Sequence, residues 1–117
     1  MKNFKIEHRR NSGIEVLDLH GELDAHTASQ LEESLKILID KGNSSIIVNC
    51  KELEYIASAG LGVFMAYIED VREEGGDIKL TNMSDKVYNV FDLLGFPTLY
   101  DILNEENEAI EKFLNEK

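Results

Sequence analysis

Ser58 lies in the stretch Tyr55-Ile56-Ala57-Ser58-Ala59-Gly60-Leu61-Gly62-Val63-Phe64, a hydroxyl among small residues where an apolar helical pattern begins. Four roles are open to such a serine. It can cap the helix, which is worth about 1 kcal/mol over alanine. A cap alone leaves Ala57, Ala59, Gly60 and Gly62 unexplained, since glycine in a helix costs up to about 1 kcal/mol relative to alanine. Either the glycines allow close helix–sheet packing, or they leave the hydroxyl uncovered for another backbone to approach. A nucleophile would need Gly-x-Ser-x-Gly, with an acid and a histidine after the serine. Position 56 is Ile, and His8, His20 and His26 all precede Ser58, so no catalytic residue is assigned and an enzyme is not expected. A nucleotide loop fails too: Met65 fills the third glycine place of Gly-x-Gly-x-x-Gly, and no Gly-Lys-Ser/Thr is present. The fourth role is phosphoacceptor. Free N–H groups and the helix dipole tolerate an anion at a helix N-terminus. Phosphate there would add about 1.5 to 2 negative charges to a small-residue surface without unfolding the domain.

The other reactive side chains offer less. The pairs Glu32-Glu33 and Glu73-Glu74 read as solvated helix faces, and no metal-binding spacing or cofactor motif appears. Cys50 is the only cysteine and ends the apolar run Ser-Ile-Ile-Val-Asn-Cys, so it reads as a core thiol. A net charge of −11 repels nucleic-acid backbones and anionic lipid, which leaves basic or mixed-charge protein partners. The N-terminus has no apolar leader, and no apolar run approaches the roughly 18 residues of a membrane span, so a cytoplasmic protein is expected.

The elements that must position Ser58 follow from periodicity. At 117 residues the chain is expected to form one domain, residues 1–117. Two alternating runs flank Asn11-Ser12-Gly13 and predict a hairpin with Ile14, Val16, Leu17 and Leu19 inward. Ala28, Leu31, Leu35 and Leu38 predict a helix, with Thr27-Ala28-Ser29-Gln30 as a capping box, Asp24 as an earlier cap and Gly42 as the stop. A central strand is expected over Ser-Ser-Ile-Ile-Val-Asn-Cys, followed by an extended connection through Lys51–Ala57. The second helix carries Leu61, Phe64, Ile68 and Val71, and Gly75-Gly76 closes it. Next come a strand over Asp77–Asn82 and a helix capped by Ser84, with Val87, Val90, Phe91 and Leu94 inward and Gly95 as its stop. A last short strand is expected over Thr98–Leu103, then a polar helix anchored by Ile110, Phe113 and Leu114. The order β-β-α-β-α-β-α-(β)-α predicts an α/β fold, a mixed sheet of four to five strands with helices packed on it.

The segments Gly21-Glu22-Leu23-Asp24-Ala25-His26-Thr27-Ala28 and Ile46–Phe64, with this element order, resemble the bacterial single-domain STAS proteins that act as anti-sigma-factor antagonists. The likeness spans roughly residues 3–114. It implies a non-enzymatic regulator that binds an anti-sigma factor, often a serine kinase, and so frees a sigma factor for transcription. It implies that the kinase phosphorylates the serine matching Ser58 and that a PP2C-type phosphatase reverses this. The implied partner-facing residues are Gly21, Glu22, Leu23, Asp24, His26 and Thr27, together with Ala57, Ala59, Gly60, Leu61 and Gly62. A monomer is implied. Where the family often has Asp before the serine, this chain has Ala57, which removes a carboxylate that could orient the hydroxyl or assist the kinase. Asn49 stands where Asp is common and reads as a structural polar group. The alternative is a STAS scaffold that uses the same face and is never phosphorylated.

Overall fold

The computed structural model describes residues 4–116. Strands β1 (Lys5–Asn11) and β2 (Ile14–Leu23) form the expected hairpin. Ser12 and Gly13 both take positive φ, 55° and 80°, the two-residue geometry that matches strand twist. Then come α1 (Ala28–Asp40), β3 (Ser45–Ile56), α2 (Ser58–Glu73), β4 (Asp77–Thr81) and α3 (Asp85–Leu93). A 3-10 turn (Phe96–Thr98), β5 (Ile102–Leu103) and α4 (Glu106–Asn115) follow. The sheet order is β1-β2-β3-β4-β5, with β1 antiparallel to β2 and every other neighbour parallel. This is the α/β mixed sheet that the periodicity predicts.

Each face of the sheet has its own core. Leu17, Leu19, Ile46, Val48, Ile78 and Leu80 meet α1, α2 and α3 through Leu31, Leu35, Phe64, Ile68 and Phe91. Leu17 and Leu19 therefore point inward as expected, but to the face opposite Ile14 and Val16. Those two join Ile47 under Ala109, Ile110 and Phe113 of α4. A strand alternates sides, so a central strand covered on both faces is apolar throughout.

Four local expectations need correction. The stretch Lys51–Ile56 is not a connection but the second half of β3. Its alternation is blurred because it pairs only with β2, while β4 ends opposite Asn49. Thr27 makes no capping bond. Its backbone is already helical (φ −110°, ψ −11°), so its hydroxyl turns back, donating to the Glu22 carbonyl (2.9 Å) and accepting from Asp24 N–H (2.9 Å). Leu94 and Leu114 are about half exposed, at 58% and 49%, because each lies at or beyond the end of the covered helix face. The last strand shrinks to Ile102–Leu103, since Pro97 suits a 3-10 turn and Tyr100 is buried by stacking on Phe96. Ser84 does cap α3, accepting from Val87 N–H at 3.2 Å. Gly42, Gly75 and Gly95 take the positive φ that ends each helix.

Candidate functional site: the start of the second helix

The C-terminal ends of β2 and β3 bring the two singled-out segments together. Leu23 pairs with Ile56, and Ala57 N–H donates to the Leu23 carbonyl at 2.9 Å. The strands then part, β2 into the Asp24–Thr27 turn and β3 into α2. Asp24 holds its turn by accepting from the backbone N–H of His26 (2.9 Å) and Thr27 (3.2 Å). Its carboxylate is thus a scaffold for the loop beside Ser58. His26 is exposed at the turn's tip.

Ser58 is not the cap. Ala57 takes that position with extended backbone (φ −109°, ψ 170°), and Ser58 is the first helical residue. The Ala57 carbonyl receives Gly60 N–H (3.0 Å) and Leu61 N–H (3.4 Å). A helix start leaves its first N–H groups without intrahelical partners, and here those of Ser58 and Ala59 remain. The Ser58 side chain is exposed, and among the described residues its hydroxyl has no hydrogen-bond partner. No acidic residue occupies the first turn of α2, the place where a carboxylate best offsets the positive end of the helix dipole.

The small residues divide by cause. Gly60 is buried, and a Cβ there would stand 2.6 Å from Leu23 Cγ, too close for any side chain. Its role is close packing of α2 on the end of β2. Gly62 is exposed, and a Cβ there would meet nothing within 4 Å. Packing does not explain it. Gly62 lies one turn beyond Ser58 on the same helix face, followed by Met65, 47% exposed, and exposed Ala66. Leu23 and Leu61 are buried, so with Gly60 they support this face from beneath. Gly21 is also buried, at φ 94°, while Glu22, Asp24, Thr27, Ala57 and Ala59 are half-buried. Met65 is a surface residue that helical spacing could have found, at i+7 from Ser58.

No acid–base pair serves the hydroxyl. His8 is bound to Glu15 at 2.6 Å, and His20 lies beside Glu7 at 2.8 Å. Cys50 is wholly buried, and burial pushes its thiol up to about 12, so it is inert as the sequence suggests. Asn49 is structural, donating to Glu106 (2.9 Å) and accepting from Lys51 N–H (2.9 Å). Among the described residues no cluster of His, Cys, Asp and Glu could hold a metal, and no helix is long and apolar enough to cross a membrane.

The STAS domain family matches residues 5–109. An anti-sigma-B factor antagonist of Bacillus subtilis (strain 168) is 31% identical over 109 residues, which is 93% of this chain and 99% of that protein. The anti-sigma factor antagonist SpoIIAA in its unphosphorylated form superposes with TM-score 0.80 at 27% identity, covering 97% of both chains. The Bacillus cell fate determinant SpoIIAA in its phosphorylated form superposes with TM-score 0.70 at 27% identity, covering 94% of this chain and 98% of that one. A family match over most of the chain makes this protein a member of the STAS domain family.

Proposed function

We propose that this chain is an anti-sigma factor antagonist. It binds an anti-sigma factor, which itself acts as a serine kinase, and phosphorylation of Ser58 inactivates it. A PP2C-type phosphatase restores it, and the chain acts by binding rather than catalysis, as a single cytoplasmic domain. The observation that carries this reading is the Ser58 hydroxyl, exposed and unbonded on the first turn of α2. Two backbone N–H groups and the dipole there can receive a phosphate in place, while the added charge spoils the face for its partner. Relatives named as antagonists, and a relative with solved unphosphorylated and phosphorylated forms, support the same reading. The contact face runs from the Asp24–Thr27 turn to Ser58, Gly62 and Met65.

The test is binding to the anti-sigma factors of the native host, with intact mass as the second readout. Ser58→Asp should fold as the parent does and bind at least about tenfold more weakly, a loss near 1.4 kcal/mol. Ser58→Ala should bind normally and resist inactivation by ATP and kinase. Unchanged affinity in Ser58→Asp would sink the switch. Ala57 favours one second reading, a scaffold that uses this face without phosphorylation. Parent protein that binds but never gains a phosphate-sized mass would establish that reading instead.

A further inference from the structure

The sheet face that carries α4 is only half covered. Beyond Glu106 it opens into a polar recess of about 350 Å³, lined among others by Glu7, Arg9, His20, Lys51, Glu52 and Asn82. Solvated sheet faces are commonly polar, so the lining alone proves nothing. Three further observations set this one apart.

Two buried side-chain polar atoms that lack a hydrogen bond among the described residues lie in or beside it, Asn82 Oδ1 in the lining and Thr81 Oγ1 next to it. His20 Nε2, also in the lining, lies 2.8 Å from a Glu7 carboxylate oxygen. Thr81 pairs with Asn49, another lining residue. Orphaned buried polar atoms are rare, and their gathering at one place asks for a common partner. Second, the β2–β3 ladder slips here. Asp18 faces Asn49 and His20 faces Glu52, so Leu19 stands opposite both Cys50 and Lys51. The extra residue leaves Cys50 and Leu53 in the core and turns both Lys51 and Glu52 to the recess. Bulges re-aim side chains in this way next to binding sites. Third, Asn82 holds φ 59°, and the only other described non-glycine with positive φ is Ser12 in the hairpin turn.

The charges left over define the ligand. Arg9 is saturated by Asp18 and Glu106. Lys51 and Glu52 have no ion-pair partner among the described residues. A simple anion would meet Glu7, Asp18 and Glu52, and a metal ion would meet Lys51. One cation beside carboxylate and amide acceptors suits a molecule that carries both signs. We propose that the recess binds a small zwitterion of amino-acid size, its ammonium held by Glu52 and Asn82 Oδ1 and its carboxylate by Lys51 Nζ.

This site is separate from Ser58 and does not rest on the function proposed above. The test is an amide chemical-shift titration of the full chain with glycine, L-serine and L-glutamine. At least one should give saturable shifts at His20, Lys51 and Asn82, half-complete at or below about 1 mM, within reach of a ligand this small. Betaine, acetate and ethylamine are controls that lack the N–H donors or one of the two charges. Lys51→Ala and Asn82→Gly should each weaken binding by at least about tenfold. Glycine keeps the positive φ of position 82, so that variant folds. No saturation with any of the three amino acids would overturn the proposal. So would equal shifts from acetate or ethylamine alone, or undiminished binding in both variants.

Discussion

The start of α2 and the seat of α4 are both helix-on-sheet contacts, but they are built in opposite ways. At α2 the surface groups are small and unsaturated: among the described residues the Ser58 hydroxyl has no hydrogen bond, and a Cβ at Gly62 would meet nothing within 4 Å. At α4 both ends are tied down by ion pairs. Arg9 grips Glu106 with both nitrogens, Asn11 and Asn49 add to the same carboxylate, and Glu106 is held down to about 2, chiefly by Arg9. At the far end the fully buried Lys79 ammonium meets Asp77 (3.0 Å), Asp101 (2.8 Å) and Glu116 (3.1 Å) and lies over the Phe113 ring. Burial alone would lower the Lys79 pKa, yet Asp101 and Asp77 keep it raised. The ends of α4 are closed by ion pairs within the chain, whereas the contact face proposed at α2 keeps its hydroxyl free.

Substitutions can break that contrast. The largest effect is expected from Lys79→Met, which keeps the packing on Phe113 but removes three charge-assisted hydrogen bonds, leaving Asp77 to Arg72 and Asp101 to Lys112. It should cost about 2–3 kcal/mol in urea unfolding. Gly60→Ala should follow at about 2 kcal/mol, because Leu23 must shift to admit the methyl. Circular dichroism melts of that variant would check it, and an unchanged melting temperature would mean that α2 slides freely on β2. Glu106→Gln should cost about 1–2 kcal/mol at neutral pH, as a charge-assisted fork is lost. The parent's Glu106 contribution exists above its ordinary carboxyl pKa of 4.5 and disappears as pH falls toward about 2. The variant should therefore lose less stability than the parent across that acid range. The smallest effect has the opposite sign. Gly62→Ala should raise stability by up to about 1 kcal/mol while weakening anti-sigma factor binding. Unchanged binding would remove Gly62 from the contact face.

The sequence made the scaffold legible where period and punctuation agree. Ser12-Gly13 gave the hairpin, and Gly42, Gly75 and Gly95 gave three helix stops. It misled where one residue type suits two neighbouring positions. Ser58 is a good cap by type, but the backbone turns helical one residue earlier than a cap allows, and Ala57 takes that place. Lys51, Glu52 and Glu54 look like loop because a slipped, half-paired strand has no clean alternation. The seat of α4 was invisible for a different reason. The Arg9–Glu106 contact joins residues 97 apart, and neither periodicity nor composition carries that information.

The strands lie across the sheet in the order in which they occur along the chain. During synthesis, each strand that leaves the ribosome finds its neighbour already made, so no edge waits for a distant partner and the risk of mispairing stays low. Only α4 reaches back across the whole sheet to β1. The molecule is therefore assembled like a page written line by line, and its final helix binds the first line to the last.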